Sequence, residues 1–200
     1  MTQASLLYLA SLPNLGVLFE RFNAGKHLNR ISEPALWAEL EGELEQYRAL
    51  FAQLGFDLRV DQRGFAWFQF DNTSGNVSRT SRRLALLLMS LFELKADEGA
   101  HLARFTDWHL DRALLATLGE RAHDLLVAEG LDQEELASLL ERACALGFAK
   151  SVAGGGWQLL PAVWRYLDHF EALTSLREVE SGEHDETDSL DEAVDEDEAP

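Results

Sequence analysis

Two pairs of short runs rich in aromatic and branched residues constrain the fold of this chain most strongly. The first pair covers residues 56–60 and 65–70, and the second pair covers residues 148–152 and 157–160. Each pair encloses a short turn that contains glycine, which is typical of a β-hairpin. Helical patterns precede both pairs, so the sequence predicts helices followed by a hairpin, and it predicts this order twice.

The first half begins with apolar residues at helical spacing over residues 15–22, and Gly25 is placed to end that helix. A small strand is predicted within residues 26–31. Ser32 is predicted to cap one continuous helix that runs to Gly55, just before the first hairpin.

A run of small polar residues at 72–78 is predicted to be a linker. The helix that follows, at residues 79–95, is apolar on nearly every face and therefore needs cover on more than one side. The sequence predicts that the core covers one side of this helix and another chain or domain the other side, and it favours a second chain, in a homodimer.

Further helices are predicted before and after the second hairpin. Thr106 is predicted to cap one helix, and residues 120–128 are predicted to be helical. Asp132 begins a helix with the spacing of a capping box, and Gly147 is placed to end it. Pro161 is predicted to begin the last helix.

This order of elements is that of a winged helix. The predicted fold class is therefore α+β and mainly helical, with tandem winged-helix domains at residues 1–78 and 79–177. Residues 178–200 hold 12 of the 35 acidic residues of the chain and no Lys or Arg, so they are predicted to form a disordered acidic tail.

The patterns that usually indicate catalysis or metal binding do not occur in the sequence. The single cysteine, Cys144, excludes a disulfide framework and a cysteine-based zinc cluster. The six histidines include neither an H-E-x-x-H motif nor a pair at i, i+4 spacing, and the glycines at 154–156 lack the G-K-[ST] of a phosphate loop. The sequence predicts a protein that is not an enzyme and that needs no cofactor and no metal.

The sequence also predicts where the protein is found. No Lys or Arg precedes Arg21, so the charged region of a signal peptide is missing. The longest apolar run, residues 84–89, is far shorter than the roughly 20 residues that cross a bilayer. We expect a cytoplasmic protein that does not bind a membrane.

The charge distribution argues against a conventional DNA-binding helix. The formal net charge is −18, and the helix before each predicted hairpin is acidic, whereas phosphate binding depends on Lys and Arg. Positive charge is local, so we predict DNA contact that is weak or occurs only within a complex, and a winged-helix DNA-binding regulator is an alternative. The candidate DNA-contact residues are Lys26, Arg30, Arg79, Arg82, Arg83, Arg142 and Lys150.

The segment from Leu18 to Phe68, followed by the polar loop and the long apolar helix, resembles the MukE and MksE family. Members of this family are the accessory "kite" subunits of bacterial condensin-like complexes. The Ala24–His27 step, the aromatic hairpin after Gly64 and the closing segment at 139–166 lie where the family has equivalents, as does the acidic tail. The resemblance covers most of residues 13–175.

The resemblance implies a non-enzymatic subunit that dimerises and binds the middle of a kleisin (MksF-like), which bridges an SMC ATPase (MksB-like). Such a complex extrudes DNA loops and supports chromosome condensation and segregation, so we expect the protein at the nucleoid. The same role in a Wadjet-type plasmid-defence complex is the alternative. Family members can contact DNA near the second recognition helix, where this chain has Cys144 and Ala145. The candidate kleisin or dimer interface residues are Trp67, Leu87, Leu91, Leu94 and Trp157.

Overall fold

The computed structural model describes residues 12–70 and 78–172. Within them, one compact unit ends at Val163, and a second unit begins at Trp164 and is helical over 164–172. The predicted acidic tail lies outside the described residues, as does the predicted linker except for Ser78. The described chain is mainly helical with two small sheets, in keeping with the predicted α+β class.

The described part of the first half consists of helices and a three-stranded antiparallel sheet. The sheet order is β1-β3-β2, with Leu28 opposite Ala66 and Leu58 opposite Phe68. The predicted first hairpin is confirmed, and the predicted strand at 26–31 is only two residues long. The elements are α1 (Leu15–Asn23), β1 (Leu28–Asn29), α2 (Pro34–Gly42), α3 (Leu44–Gln53), β2 (Asp57–Asp61) and β3 (Phe65–Gln69).

Aromatic side chains fill the space between these helices and the sheet. The ring centroid of Phe68 lies 5.1 Å from that of Phe22 and 4.9 Å from that of Phe51. All three side chains are buried. Burial of one such side chain stabilises the folded state by about 1.5–3 kcal/mol, so this cluster holds α1 and α3 against β3.

The continuous helix predicted at 32–55 is two helices in the structure. Glu43 lies between α2 and α3 with φ −117° and ψ 28°, which is not a helical conformation. It follows Gly42, whose helix propensity is low. The apolar residues lie on one side of both helices, so their spacing did not indicate the break between them. Glu33, not Ser32, occupies the N-cap position of α2. Both details of the prediction were wrong.

The Glu39 carboxylate on α2 connects the beginnings of α1 and α3. It accepts hydrogen bonds from the backbone N–H of Asn14 (3.0 Å), from the Asn14 side-chain amide and from the Tyr47 hydroxyl (2.5 Å). Burial raises the pKa of Glu39, but the hydrogen bonds from Tyr47 and Asn14 together lower it more, so the pKa lies below its ordinary value. Burial and the Glu39 carboxylate raise the pKa of Tyr47, which keeps this phenol protonated as a donor.

The second half of the first unit repeats the order of elements with different residues. β4 and β5 pair antiparallel, which confirms the second predicted hairpin. Leu110 pairs with Trp157 on β5 through two backbone hydrogen bonds of 2.8 and 2.7 Å, so the order Leu110, β5, β4 matches the order β1-β3-β2. The elements are α4 (Arg79–Asp97), a 3-10 helix (Leu102–Asp107), α5 (Arg112–Arg121), α6 (His123–Ala128), α7 (Gln133–Leu146), β4 (Ala149–Ser151), β5 (Trp157–Leu159) and a 3-10 turn (Pro161–Val163).

The helix predicted from Thr106 begins later than expected, at Arg112. The chain before it first forms a 3-10 helix and then becomes extended at Leu110, where it pairs with β5. Asp111 caps α5, because its carboxylate accepts the N–H of Leu114 at 2.8 Å. The prediction was wrong here because the pairing partner of Leu110 is distant in sequence.

The predicted beginning and end of α7 are confirmed. The Asp132 carboxylate accepts the N–H of Glu135 at 2.8 Å, and Gly147 ends the helix with φ +82°. The Glu135 carboxylate lies 3.6 Å from the guanidinium of Arg83 on α4, so the cap also contributes to packing between these helices. The helical stretch predicted at 120–128 is divided in the structure: residues 120 and 121 end α5, Ala122 is not helical, and α6 covers His123–Ala128.

A buried asparagine joins the two halves of the first unit. The Asn29 side chain donates to the carbonyl oxygen of Gly147 (2.8 Å) and accepts the N–H of Ala162 (3.1 Å). The N–H of His27 donates to the carbonyl oxygen of Leu146 (2.9 Å). His27 and Asn29 are 3% and 1% exposed. These bonds link β1 to the end of α7 and to the segment after β5, and we call this set of contacts the junction.

Gly147 allows the chain to approach itself closely at the junction. A Cβ atom at this position would lie 2.5 Å from the carbonyl oxygen of His27. The positive φ of Gly147 already favours glycine, so backbone conformation and available space impose the same residue.

Asn29→Ala should lower the free energy of unfolding by about 2–4 kcal/mol, because it leaves the Gly147 carbonyl and the Ala162 N–H without a partner in the interior. Urea unfolding followed by tryptophan fluorescence measures this change. Asn23→Ala is the matched control, since Asn23 is exposed and its replacement should change the free energy by less than about 0.5 kcal/mol. If both variants are equally stable, the junction does not depend on the Asn29 amide.

Glu39→Gln should destabilise the protein at neutral pH but not in acid. A carboxyl group whose folded pKa is lowered contributes stability above its unfolded pKa, and this contribution is lost as the pH falls through the folded value. The difference in free energy of unfolding from wild type should be about 1 kcal/mol at neutral pH and should shrink toward zero in acid. Glu41→Gln, at an exposed position of the same helix, is the control. A Glu39→Gln difference that is independent of pH would contradict the prediction.

Candidate functional site

The three candidate DNA-contact arginines on α4 have different surroundings. The Arg83 guanidinium donates to the carbonyl oxygens of Glu129 (2.7 Å) and Gly130 (3.4 Å), and its side chain is only 16% exposed. Arg82 is 63% exposed and lies 3.7 Å from the Glu129 carboxylate. Arg79 is exposed at the beginning of the helix. Arg83 therefore supports the packing of α4, whereas Arg79 and Arg82 are accessible to a partner.

Two candidate residues that are far apart in sequence flank the junction. Lys26 is exposed and immediately precedes His27, whose N–H binds the carbonyl oxygen of Leu146 at the end of α7. Arg142 is also exposed and lies one helical turn before Leu146 on the same helix. Lys150 is half-buried on β4. Within residues 12–70 and 78–172, none of Lys26, Arg142 and Lys150 forms an ion pair.

Arg30 lies at a cleft beside α2. Its guanidinium carbon is 5.9 Å from the centroid of the Trp37 ring, and its N–H donates to the carbonyl oxygen of Gly64 (2.9 Å). The cleft has a volume of about 300 Å³, and a second cleft of about 530 Å³ lies between α3 and β2. Arg48 lines both clefts. No pattern in the sequence indicates these clefts, because they depend on which strand lies at the edge of the sheet.

Of the five candidate interface residues, Trp67 alone has substantial accessible surface. Trp67 is half-buried on β3, and its indole N–H donates to the Gln69 side chain. Trp157 is 5% exposed, and its indole N–H donates to Glu141 at 2.8 Å. The other three residues are 1–4% exposed and belong to the core: Leu87, Leu91 and Leu94.

The opposite side of α4 carries accessible apolar surface. Met89 is 39% exposed, and Leu86 is half-buried. The exposed Arg82 and Glu93 flank them along the helix. The helix that was predicted to be apolar on nearly every face therefore has a core side and an accessible side. We call the accessible side the outer side of α4, and it consists of Arg82, Leu86, Met89 and Glu93.

The helices that precede the two hairpins present acidic side chains. On α7, Glu134 is exposed, and Glu141 is engaged with the indole of Trp157. Glu41 and Glu45 are exposed on α2 and α3. These carboxylates repel phosphate, so neither helix is suited to a conventional position in the major groove of DNA.

The glycine and cysteine residues considered for catalysis or phosphate binding have structural surroundings. Burial raises the pKa of the Cys144 thiol, which disfavours the nucleophilic thiolate. A Cβ atom on Gly156 would lie 2.4 Å from the carbonyl oxygen of Leu110, so this glycine serves the pairing of Leu110 with β5. Residues 12–70 and 78–172 contain no cluster of three or more His, Cys, Asp or Glu side chains that could hold a metal ion. No helix among these residues has the length and apolarity to cross a membrane.

The family model of condensin complex protein MksE matches residues 13–171, whereas no curated protein matches the chain. The matched range includes both hairpins, the junction and the outer side of α4. It agrees with the resemblance drawn from residues 13–175 of the sequence. The chain therefore belongs to the MksE family of condensin complex proteins.

Proposed function

We propose that the chain is a non-enzymatic kite subunit that dimerises and binds the kleisin of an MksBEF- or MukBEF-like condensin. The single observation that carries this proposal is the family match over residues 13–171. The kleisin (MksF-like) links the subunit to an SMC ATPase (MksB-like), which hydrolyses ATP and organises and segregates the chromosome. The protein then acts in the cytoplasm, at the nucleoid.

Each half of the chain is proposed to be a winged-helix domain, with the two domains at 1–78 and 79–177. The shared strand order supports this proposal, since in both halves the last strand of the hairpin lies between the first strand of the hairpin and an earlier extended segment. A helix directly precedes each hairpin. The acidic character of these helices favours protein binding over DNA recognition.

Kleisin binding requires a surface that accepts a peptide segment rather than a catalytic group. Trp67 supports such a surface, since a partly exposed aromatic residue is a common anchor in protein interfaces. Its ring stacks on the buried Phe65 with a centroid distance of 5.3 Å, and its indole N–H donates to Gln69; both contacts favour one orientation of the ring. Trp157 is buried, and a role as an anchor would require a rearrangement of the second hairpin.

The purified chain should co-elute with the kleisin encoded beside its gene, and it should do so without ATP. Trp67→Ala should raise the dissociation constant about fivefold or more, because an aromatic anchor contributes more than about 1 kcal/mol. Trp108→Ala is the matched control, since Trp108 is also half-buried but lies away from the first hairpin in sequence. If both proteins are folded and do not co-elute, the proposed kleisin partnership is wrong.

The isolated chain should not bind duplex DNA tightly at physiological salt. Its helices before the hairpins are acidic, and affinity for DNA depends on neutralising phosphates with Lys and Arg. Fluorescence anisotropy with a labelled duplex at rising salt measures this property. Sub-micromolar binding that weakens steeply with salt would instead support a DNA-binding regulator. Lys26→Glu combined with Arg142→Glu then tests whether the basic residues beside the junction are responsible.

A further inference from the structure

The outer side of α4 has a symmetric sequence pattern. Its four residues follow one another at steps of four, three and four positions, from Arg82 through Leu86 and Met89 to Glu93. These steps keep all four side chains on one stripe of the helix. The steps are the same from either end of the helix. In an antiparallel pair of copies, each residue of the stripe therefore lies opposite another residue of the stripe.

Charge changes sign along this stripe. Arg82 lies toward the beginning of α4 and Glu93 toward its end, with the apolar Leu86 and Met89 between them. When two copies of the helix run antiparallel, Arg82 of each copy faces Glu93 of the other, and Leu86 faces Met89. A parallel arrangement would instead place like charges together, which is unfavourable.

The charged residues of the outer side of α4 are accessible to a second chain. Glu93 is exposed and forms no ion pair within the described part of the chain. Arg82 is 63% exposed and forms a long ion pair, with 3.7 Å between its Nε and the Glu129 carboxylate, so a second chain can compete for it. Asp97, by contrast, is held by Arg121 at 2.6 Å, so the contact pattern does not depend on it.

We propose that the outer side of α4 binds the same surface of a second copy of this chain, with the two helices antiparallel. This inference rests on the dimerisation in the proposed function, and it adds which surface of the chain forms the dimer. A twofold axis passes near the middle of α4, which makes the contact isologous and closes the assembly at two chains. The apolar centre is small, so the dimer dissociates on dilution.

Leu86→Asp combined with Met89→Asp should raise the dissociation constant of the dimer about a hundredfold, because it places charge in the apolar centre of the interface. Arg82→Glu alone and Glu93→Arg alone should each raise it about tenfold, since each introduces two like-charge contacts. Combining Arg82→Glu with Glu93→Arg should restore the constant to within about threefold of wild type, because both pairs reform with reversed sign. Sedimentation velocity over a concentration series measures these constants.

Two controls separate this surface from general effects of charge or apolarity. Leu54→Asp changes an exposed apolar residue of the first half, at 57% exposure, and Arg142→Glu reverses an exposed charge on another helix. Both should leave the dissociation constant within about twofold of wild type. Circular dichroism melts test whether every variant is folded, which is expected because none of the substituted positions is buried.

The outcomes distinguish this surface from the rest of the proposed function. A wild-type dimer that none of the outer-side variants weakens overturns this surface while leaving dimerisation intact. A wild-type monomer at about 100 μM that still co-elutes with the kleisin overturns dimerisation through this surface while leaving kleisin binding intact. If Leu86→Asp with Met89→Asp abolishes kleisin binding but not dimerisation, the outer side of α4 binds the kleisin, and the proposal is also overturned.

Discussion

The buried amide of Asn29 is the interaction on which the rest of the described structure depends. One side chain serves as donor to Gly147 and as acceptor from Ala162, two backbone groups that belong to different segments of the second half. An interior polar group that lacks a partner costs free energy, so the amide favours one relative placement of the halves over others that bury as much apolar surface. The proximity of Lys26 to the end of α7 follows from this placement.

The sequence predicted those features that depend on neighbouring residues. Both hairpins, the glycines that end α1 and α7, and the Asp132 cap are local signals, and the structure has all of them. The bend at Glu43 and the extended Leu110 were missed. Leu110 is extended because of its pairing with Trp157, and no pattern within a few residues of it reports that partner.

The candidate site could be predicted less completely than the fold. The helix α4 is apolar on several sides, and the sequence does not indicate which of these sides packs in the core. The candidate interface residues on this helix were Leu87, Leu91 and Leu94. In the structure these residues are core, and the outer side of α4 is the accessible side of the helix. Arg83 shows the same difficulty with charge, because its contacts with the Glu129 and Gly130 carbonyl oxygens depend on packing between α4 and the segment before α7. The family, by contrast, was recognisable from the order of elements together with the first 80 residues.

Gly147 has a consequence for how this sequence can diverge. Asn and Asp are the residues that most readily replace glycine in a left-handed conformation, and a helix end commonly tolerates them. Here their Cβ atom would meet the carbonyl oxygen of His27, which is a backbone atom that every residue at position 27 possesses. No side-chain change at that position can act as a suppressor, so a relative that lacks this glycine must route the chain between α1 and α2 differently.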